Sequence, residues 1–591
     1  MIGLRAGCWA GALLAALALP VAAGAGEGFS LFGPLKHAEG FAHFDYVNPS
    51  APKGGTLRRG TLLAADSTNP LRFPGRMPTE LGLAFDSLMV RAQDEPASFY
   101  GLLAGDVAVA DDLSHARFRL RPEARWQDGT PVTSRDVAFT FRTLRQYGLP
   151  GHRAALKDLV IETPDDSVVE FRSPQPADWR YLALVATFPI QAKAFWQGRD
   201  VSAASREIPL GSGPYRIEEL ELTEQTVLVR DPAYWGRDLP VNRGRWNIDR
   251  IITQQFRDRI SLVEAIKAGK LDIHREFDPS LWANGYDGPR LAAGELLRSS
   301  FRERAGGRLA AMVFNLRHPP LGQRPVRAAL ACALDTEWAR ETLFEGTYDP
   351  PGSPYGQSEF AATGSAGPGE RALLAPFLKD LPEGILEAPA PPSCNGLSRR
   401  ERLRRADRLL HEAGWDLVDG RRVNEQNRPL EIEFVSAPTG LERAMPAFRE
   451  TLATLGIRLE VTLHTLAGVR DEILGHRFDL SQTGFNQSVP PGAPERTGWH
   501  SENADTEGYA LAGAKDPALD ATIEAMTRSR DPATVLAATR AFDRVLRWQH
   551  YLVPLWHRDR IWLVHDARVT FPERFAQRRF GYLATIWWEE R

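Results

Sequence analysis

The residues best suited to chemistry stand in one polar segment, residues 483–500, with the sequence TGFNQSVPPGAPERTGWH. Asn486, Gln487 and Ser488 supply amide and hydroxyl groups that donate and accept hydrogen bonds. Trp499 supplies a broad ring on which a flat group could stack. Groups of these kinds are typical of binding. A solvated proline-glycine loop is the alternative interpretation of the same residues.

Signatures of catalytic sites are missing from the sequence. It contains neither a G-x-S-x-G nucleophile turn nor a phosphate-binding G-x4-G-K-[ST] loop. HEAGW at 411–415 begins like a zinc-protease motif, but Trp415 stands where the second histidine would be needed, so His411 is expected near a helix end instead. The 13 histidines include no H-x-H pair, and we predict no metal site and no cofactor. We expect no enzyme, although a Ser-His-Asp set assembled from distant positions stays open.

Length and composition indicate a large globular protein with at least two lobes. The chain has 591 residues, of which 43% are apolar, enough for a large core. Its formal net charge of −3 argues against a nucleic-acid partner or an anionic membrane surface. The densest basic cluster, RRERLRR at 399–405, lies on a predicted helix and is interpreted as a solvated face.

The first 26 residues have the features of a secretory signal peptide. Arg5 precedes an apolar run at 8–19 that is too short to span a bilayer, and small residues suited to cleavage follow Pro20. Cys8 is the first residue of this run, whereas a lipid-modified cysteine would follow it. We therefore predict an exported protein without a lipid anchor.

Two cysteines remain after the leader, Cys332 and Cys394. An oxidising compartment permits a disulfide between them. The alternative is a buried Cys332 in the helix predicted for PVRAALACALD and a free Cys394, and the sequence leaves both possibilities open.

Helical and strand patterns alternate along the chain. PVTSRDVAFTFRTL predicts a helix capped by Thr133 and Asp136, and SRRERLRRADRLLHEAG predicts a helix from Ser398 to Gly414. Between the helices, runs such as IDRIITQQF, LEIEFVS and IRLEVTLH predict strands. This interleaving indicates the α/β class.

Several of these segments together resemble family 5 of the bacterial extracellular solute-binding proteins, the periplasmic receptors of peptide-type ABC importers. The segments similar to family landmarks are RWQDGTPVTSRDVAFTF at 125–141, GSGPYRI at 211–217, RDPAYWGRD at 230–238 and FNLRHPPLGQRPVRAALACALD at 314–335. Those that resemble the Yej-type branch, associated with oligopeptides and the peptide-nucleotide microcin C, are HFDYVNPSAPKGGTLRRGT at 43–61, DLPVNRGRWNIDRI at 238–251 and LLAPFLKDLPEGILE at 373–387.

The resemblance implies the α/β fold of the type II periplasmic binding proteins, in which two hinged lobes close over a ligand. The implied divisions are a signal peptide at 1–26, lobe one at 27–61, an inserted subdomain of lobe one at 62–205, lobe one again at 206–274, lobe two at 275–554 and the completion of lobe one at 555–591. It also implies a periplasmic monomer that delivers oligopeptides or peptide-like compounds to the permease and ATPase complex of an ABC importer in the inner membrane.

The resemblance also indicates where a ligand would bind. Oligopeptide and dipeptide receptors of this family carry an aspartate in the segment equivalent to 483–500, where it pairs with the α-ammonium group of the ligand. No acid lies between Asp479 and Glu495 here, so a ligand with a blocked N-terminus, or one bound along its backbone, becomes more plausible. The cleft-lining candidates of lobe two are then Asn486, Gln487, Ser488 and Trp499.

Lobe one and the return crossing supply further candidates for ligand contacts. They are Asp66, Ser67 and Asn69 in DSTNPL, Trp556 and His557 after Pro554, and Arg317 in FNLRHPP. The structural alternatives are core packing for the tryptophan, a structural role for the histidine and a surface salt bridge for the arginine. Two alternative functions stay open: a receptor of the same fold for a non-peptide solute such as an oligosaccharide, and a secreted hydrolase.

Overall fold

The computed structural model describes residues 26–62, 64–72, 75–95, 97–174, 179–302, 308–350, 352–356, 358–437, 441–486, 491–506, 508–558, 560–574 and 581–589. The fold is α/β, as predicted, and contains two mixed sheets and a smaller antiparallel unit. No helix among these residues is long and apolar enough to cross a membrane. Apart from Gly26, the predicted signal peptide lies outside the described residues.

The first of the two mixed sheets, called the large sheet below, has seven strands. In order across the sheet they are Leu296–Arg302, Arg560–Asp566, Ile273–Glu276, Thr56–Thr61, Arg250–Gln255, Gln225–Arg230 and Tyr215–Glu221. Thr56–Thr61 is parallel to both of its neighbours, and the outer pairs are antiparallel. Buried aliphatic residues such as Leu57, Ile251 and Leu563 form a core against this sheet.

The second mixed sheet, called the second sheet below, has five strands. Their order is Arg458–Leu463, Glu431–Ser436, Leu480–Asn486, Arg308–Phe314 and Leu552–Arg558. The first three strands are mutually parallel, and the last two pairings are antiparallel. Because side chains alternate between the faces of a strand, Leu309 and Val313 enter one core while Met312 and Phe314 enter the other.

The inserted subdomain contains a four-stranded antiparallel sheet and has its own core. The strand order is Ala104–Val109, His115–Leu120, Val168–Arg172 and Val160–Asp165. A neighbouring sheet joins Gly28–Ser30, Ser98–Gly101 and Met89–Arg91, and two small hairpins pair Asp416–Val418 with Arg421–Val423 and Val569–Thr570 with Trp587–Trp588.

Helices cover the sheets and form much of both cores. The α-helices of the described residues are Ser134–Tyr147, Pro150–Leu156, Arg180–Thr187, Lys193–Trp196, Arg259–Lys267, Pro289–Ala292, Pro319–Gly322, Arg324–Ala333, Thr336–Trp338, Pro368–Leu374, Arg399–Glu412, Met445–Thr454, Leu466–Leu474, Ala493–Trp499, Pro517–Arg528 and Pro532–Trp548. Short 3-10 or π turns lie at Thr79–Ala84, Leu281–Gly285, Ala339–Leu343, Ala375–Phe377, Leu441–Ala444, Ser501–Asn503 and Gly581–Ala584.

The helix caps predicted from the sequence are confirmed. Thr133 precedes its helix, and Asp136 accepts from the Thr133 backbone N–H at 2.9 Å. Ser398 and Glu401 form the same reciprocal cap on the following predicted helix. That helix ends before Gly414, whose φ of +79° is a conformation that favours glycine.

The chain crosses between the two mixed sheets later than the sequence predicted. Leu296–Arg302 pairs in the large sheet, so the first crossing is 302–308, whereas the sequence placed it at 274/275. Leu552–Arg558 pairs in the second sheet, so the return crossing is 558–560 instead of 554/555. Strand Gly28–Ser30, predicted within lobe one, pairs with Ser98–Gly101 and its Phe29 enters the core of the inserted subdomain.

Cys332 and Cys394 form a disulfide in this structure. Cys332 lies in the helix Arg324–Ala333 and is bonded to Cys394, with 5.2 Å between the Cα atoms. The bridge ties the long connector before Arg399–Glu412 to the core of the second sheet.

Candidate functional site

The large sheet presents the carboxyl ends of its parallel strands to the crossings. The strand that ends at Thr61 and the strand that ends at Glu276 run in the same direction. Glu276 is the register partner of Trp562, and Arg302 is the register partner of Arg560. These strand ends therefore lie along one edge, from which the chain leaves for the second sheet.

The second sheet presents its carboxyl ends to the same crossings. Asn486 is the register partner of Arg308, which is in turn the partner of Arg558, so all three lie in one row. The parallel strands that end at Ser436 and Leu463 point in the same direction but stop short of this row, because Val435 is the register partner of Ser481. Because open α/β sheets bind ligands outside the carboxyl ends of their strands, the space between the two edges is the candidate site.

Strand Leu480–Asn486 has an unpaired side at its carboxyl end. On one side it pairs with Arg308–Phe314 along its whole length. On the other side it pairs with Glu431–Ser436 only through its first two residues. No strand in the described part of the chain pairs with Thr483–Asn486 on that side, and we call this stretch the open edge. Its backbone can accept an added extended chain.

Four stacked aromatic residues connect the two sheets beside the crossings. Trp282 and Trp562 stack at 5.3 Å between ring centroids, and Tyr348 stacks on Trp562 at 6.4 Å and on Trp556 at 5.5 Å. We call these four residues the aromatic seam. The Tyr348 hydroxyl donates to the Phe277 carbonyl at 3.3 Å, which adds a polar contact between the sheets. Trp282 and Tyr348 are half-buried, whereas Trp556 and Trp562 are buried.

A second contact joins the inserted subdomain to the helices of the second sheet. The Trp179 backbone N–H donates to the Thr527 carbonyl at 3.2 Å, and the indole N–H donates to the Met526 carbonyl at 3.1 Å. Both carbonyls lie in the last turn of helix Pro517–Arg528, whose final carbonyls lack partners inside the helix. The ring also covers Gly492, where a Cβ atom would lie 2.8 Å from the indole. We call this contact the latch.

The structure places part of the predicted polar segment at the site. Asn486 ends its strand at the open edge, beside the crossings. Gln487 and Ser488 lie outside the described residues, so their predicted contacts with a ligand stay predictions. The segment that contains them runs from the open edge to Gly492 at the latch.

Trp499 lies beneath the open edge instead of lining a surface. Its side chain is buried and stacks on Phe485 at 5.8 Å and on Tyr551 at 6.3 Å. The physical reason is that its helix, Ala493–Trp499, turns this position towards the core of the second sheet. In this structure the ring supports the open edge by packing, and its predicted stacking on a ligand stays a prediction.

Trp556 and His557 lie at the same edge as Asn486. Trp556 belongs to the aromatic seam and packs on Phe344 with 4.5 Å between the ring centroids. His557 is buried, and its backbone carbonyl accepts from the Asp349 N–H at 2.9 Å. Three of the residues predicted from the sequence, Asn486, Trp556 and His557, therefore lie at one edge of the second sheet.

The DSTNPL segment is held mainly by structural hydrogen bonds. Ser67 and Asn69 are buried, and their side chains bond to backbone groups of 201–205 at 2.9–3.1 Å. Asp66 is exposed and accepts from the Arg76 backbone N–H at 2.7 Å. A cavity of about 150 Å³ opens beside this loop at the edge of the large sheet. Of the three predicted residues, Asp66 is therefore the one whose exposure leaves it open to ligand.

Arg317 lies away from the crossings and binds backbone carbonyls. It follows Phe314 at the opposite edge of the second sheet. Its guanidinium donates to the carbonyls of Ala504, Ala510 (2.9 Å) and Leu511 (3.1 Å). Burial lowers its pKa from the usual arginine value. These contacts hold the backbone at Ala504, Ala510 and Leu511, and a bond from Arg317 to a ligand carboxylate stays a prediction.

The acids that bracket the polar segment are both engaged away from the open edge. Asp479 lies at the far end of its strand, 2.7 Å from His318, and accepts from the Glu433 backbone N–H at 2.8 Å. Glu495 is buried and accepts from the Tyr355 hydroxyl at 2.9 Å. Burial raises the pKa of Glu495. Neither carboxylate is placed to pair with an ammonium group at the open edge.

Sequence reasoning missed three members of the aromatic seam and the latch. Trp562 lies in the strand Arg560–Asp566, in which every residue after Arg560 is buried, so the pattern does not single it out. Trp282, Tyr348 and Trp179 lie in turns or connectors without a periodic pattern. Their partners come from distant parts of the chain, so no local signal could have identified them.

Comparison with known proteins places the chain in a family. Residues 98–506 match the sequence model described as bacterial extracellular solute-binding proteins, family 5 Middle. A probable peptide-binding protein YejA of Agrobacterium fabrum is 31% identical over 575 residues, which are 95% of this chain and 94% of that protein. The peptidoglycan-binding protein YepA of the same organism is also 31% identical, over 586 residues, 96% of this chain and 95% of that protein.

Solved structures share the fold at low sequence identity. The oligopeptide-binding protein AppA from Bacillus subtilis, in complex with a nonapeptide, matches with a TM-score of 0.70 and 16% identity over 92% of this chain and all of that one. The type II periplasmic binding fold with hinged lobes, predicted from the sequence, is thereby confirmed. The resemblance to the Yej-type branch is confirmed by the relative of that name. The chain belongs to family 5 of the bacterial extracellular solute-binding proteins.

Proposed function

We propose that this protein captures an oligopeptide or a peptide-like compound between its two lobes and passes it to the permease of an ABC importer. The observation that carries the proposal is the open edge, Thr483–Asn486, which lies beside the crossings. Relatives named peptide-binding and peptidoglycan-binding, and a structural neighbour in complex with a nonapeptide, support a peptide-like ligand.

The open edge would bind a peptide by strand addition. An extended ligand beside Leu480–Asn486 would lie about 4.8 Å away and exchange backbone hydrogen bonds with it. Because a strand rises about 3.3 Å per residue, the open edge offers roughly 13 Å of pairing, the length of about four ligand residues. The main chain is common to all peptides, and water-filled space around the ligand side chains would tolerate many sequences.

Closure of the lobes would complete the binding. A ligand favours the closed state only by the difference between its affinities for the closed and open states. The aromatic seam and the latch are contacts between the lobes that accompany the arrangement in this structure. A ligand held on the open edge would add contacts to both lobes and so shift the population towards closure.

Single backbone N-methylation of a tetrapeptide tests the strand addition. In an extended chain, the N–H groups of every second residue point to the same side. Methylation of a residue whose N–H faces the open edge therefore removes a hydrogen bond, whereas methylation of the next residue does not. Each lost hydrogen bond is worth about 0.5–1.5 kcal/mol, so titration calorimetry should show about 2- to 12-fold weaker binding for the peptides methylated at residues that face the open edge. The peptides methylated at the intervening residues are the matched controls.

Equal losses of affinity for methylation at facing and at intervening residues would contradict pairing along the open edge. If no tetrapeptide binds, peptide capture itself is wrong. Mass spectrometry of the recovered peptide separates a receptor from a hydrolase, because a receptor releases its ligand unchanged. Recovery of shortened peptides would support the hydrolase alternative instead.

An oligosaccharide is the second candidate ligand, and the aromatic seam favours it. Trp282 and Tyr348 are half-buried rings beside the crossings, and flat aromatic faces pack well against sugar rings. A competition experiment distinguishes the two candidates. An oligosaccharide that displaces a bound tetrapeptide binds at the same site. If an oligosaccharide binds and no tetrapeptide does, the oligosaccharide proposal replaces the peptide proposal.

We further propose that the mature protein is a periplasmic monomer without a lipid anchor. The support is the leader sequence, with cleavage expected after Ala23 or Ala25, and the position of Cys8 within that leader. Intact mass of the protein released by osmotic shock should match a chain that begins at residue 24 or 26. A mass that includes Cys8 and acyl groups would contradict the absence of an anchor.

A further inference from the structure

One histidine and two carboxylates lie together in the connectors of the three-stranded sheet. His37 lies in the connector that follows strand Gly28–Ser30, and Asp94 and Glu95 lie in the connector that follows strand Met89–Arg91. One ligand atom of each side chain lies within 4.8 Å of the other two. Among the described residues, this is the one group of three such side chains with the geometry to hold a metal ion.

The imidazole of His37 is buried and held in place by aromatic rings. The residue is 7% exposed, and its ring packs against the rings of Phe41, Phe44 and Tyr100 with 5.1–5.5 Å between centroids. The Nε2 atom of His37 is buried and has no hydrogen-bond partner in the described part of the chain. A buried polar atom without a partner is costly, so an additional group at Nε2 would be favourable.

The gap between His37 and Asp94 has the size that a shared metal ion requires. Nε2 of His37 and Oδ2 of Asp94 are 3.6 Å apart. This separation is too long for an N–H···O hydrogen bond, which spans about 2.7–3.2 Å. A zinc ion bound tetrahedrally at about 2.1 Å from each atom would hold them about 3.4 Å apart. The two atoms would therefore need only a small movement to bind the same ion.

Hydrogen bonds already orient Glu95 towards this gap. Its Oε1 atom accepts from the Lys36 backbone N–H at 2.8 Å, and its Oε2 atom accepts from the Tyr100 hydroxyl at 2.5 Å. The same hydroxyl accepts from the His37 backbone N–H at 3.0 Å. Each carboxylate oxygen has two lone pairs, so both oxygens keep one for a metal ion. Outer hydrogen bonds of this kind strengthen metal binding because they fix the ligands in position.

The ammonium group of Lys36 would compete with a metal ion for Asp94. It contacts the same oxygen that faces His37 and also lies 2.8 Å from Asp45. The Lys36 side chain is 42% exposed, so it can keep its contact with Asp45 and release Asp94. The nearest other cation is Arg574, 3.8 Å from Asp45. Three carboxylates thus face two cations, and the remaining negative charge favours a further cation.

We propose that His37, Asp94 and Glu95 bind a divalent transition metal ion, for which Zn²⁺ is the best match. An imidazole nitrogen and two carboxylate oxygens are ligands that zinc accepts, and water completes a site with three protein ligands. The ion would tie the connector after Gly28–Ser30 to the connector after Met89–Arg91. The sequence predicted no metal site because its histidines are dispersed, whereas a site with a single histidine leaves no spacing pattern.

Calorimetry with zinc chloride tests the proposal on the mature protein after passage over a chelating resin. We expect the wild type to bind one equivalent of Zn²⁺. H37Q removes the nitrogen ligand and should weaken binding at least about 100-fold, because loss of an outer partner alone costs about 10- to 100-fold. K36M removes the competing ammonium group and should strengthen binding several-fold, a change in the opposite direction.

The matched control is H115Q. His115 is a half-buried histidine whose Nε2 lies 3.2 Å from a carboxylate oxygen of Glu170, but it belongs to no group of three ligands among the described residues. H115Q should therefore bind zinc like the wild type. Thermal unfolding without metal checks that each variant is folded. With zinc, the unfolding temperature should rise for the wild type, K36M and H115Q and should not rise for H37Q.

Manganese chloride and calcium chloride, titrated in parallel, identify the ion. Tighter binding of Mn²⁺ than of Zn²⁺, lost in H37Q, would support the site and assign it to manganese. Binding of Ca²⁺ alone would overturn the inference, because Ca²⁺ takes oxygen ligands and does not need His37. The inference also fails if neither the wild type nor K36M binds a transition metal, or if H37Q binds zinc like H115Q. None of these outcomes depends on peptide capture, so the proposed function is tested separately.

Discussion

Replacing Trp179 by phenylalanine tests whether contacts far from the crossings help to hold the lobes together. The latch joins the inserted subdomain to helix Pro517–Arg528 through two donors on one residue. Phenylalanine keeps the backbone N–H and an aromatic ring in the core, but it removes the indole N–H together with part of the outer ring beside Gly492. The substitution therefore weakens the contact between the lobes, and its control has to remove the same ring volume from the same core.

The structure sets the size of the effect. The lost bond runs from the Trp179 indole N–H to the Met526 carbonyl at 3.1 Å. A hydrogen bond of this kind contributes about 1 kcal/mol net, so the closed state should become less favourable by that amount. Where the open state dominates without ligand, 1 kcal/mol raises the apparent Kd about fivefold. The effect should be nearly the same for every ligand, because the latch does not select among them.

Calorimetry with one tight-binding peptide measures the change in Kd, and W196F is the matched control. Trp196 lies in the same core as Trp179 and is 4% exposed. Its indole N–H has no hydrogen-bond partner among the described residues, so W196F removes no contact between the lobes. We expect W196F to bind like the wild type.

Two results would refute this reasoning. If W179F binds the peptide with the wild-type Kd, the latch does not contribute to closure. If W196F weakens binding as much as W179F, the effect arises from the shared core. Small-angle scattering of the unliganded W179F protein should show a radius of gyration at least as large as that of the wild type, because fewer molecules are closed.

Further predictions concern the disulfide, a buried acid and the aromatic seam. Replacing Cys332 and Cys394 by alanine should lower the free energy of unfolding by about 4 kcal/mol, because the bridge joins residues 62 apart; equal urea midpoints would contradict this. Burial raises the pKa of Asp86 to about 7, so the folded state keeps a proton that the unfolded state releases above about pH 4. Wild-type stability relative to D86N should therefore fall by about 4 kcal/mol from pH 4 to pH 7 and stay level above, as urea unfolding at pH 4, 7 and 9 would show. Y348A removes a ring contact with Trp562 worth about 0.5–1.5 kcal/mol and should raise the peptide Kd about 2- to 12-fold, whereas Y348F, which keeps the ring, should raise it less.

The local elements of the fold could be predicted because their signals lie within a few residues. Thr133 and Asp136 form one cap, and Ser398 and Glu401 form the other, at the spacing that the sequence shows. The strands at 250–255, 431–436 and 458–463 also follow from local alternation. The sequence placed the crossings too early because nothing in strand 296–302 indicates which sheet it joins. Its pairing with 560–566 depends on residues far along the chain.

The candidate site was only partly predictable, for a related reason. Asn486 and His557 came from a polar segment and from a return crossing that each have a local signature, and the fold brings both to one edge. Trp499 has the residue type of a ligand-binding wall, but helix geometry turns it inward. Tyr348 lies in a long connector, and its role depends on Trp562, more than 200 residues away. Such a pair is visible only once the sheets are assembled.

The segment after the open edge connects the two places where the lobes touch. It begins at Asn486, in the row of residues beside the crossings, and it reaches the latch at Gly492, whose φ of +141° and close contact with Trp179 exclude a larger residue. A ligand that contacts both lobes favours the closed arrangement, and the latch is a contact between the lobes in the arrangement of this structure. Capture of a ligand and closure of the latch should therefore favour each other, even though the ligand need not touch Trp179.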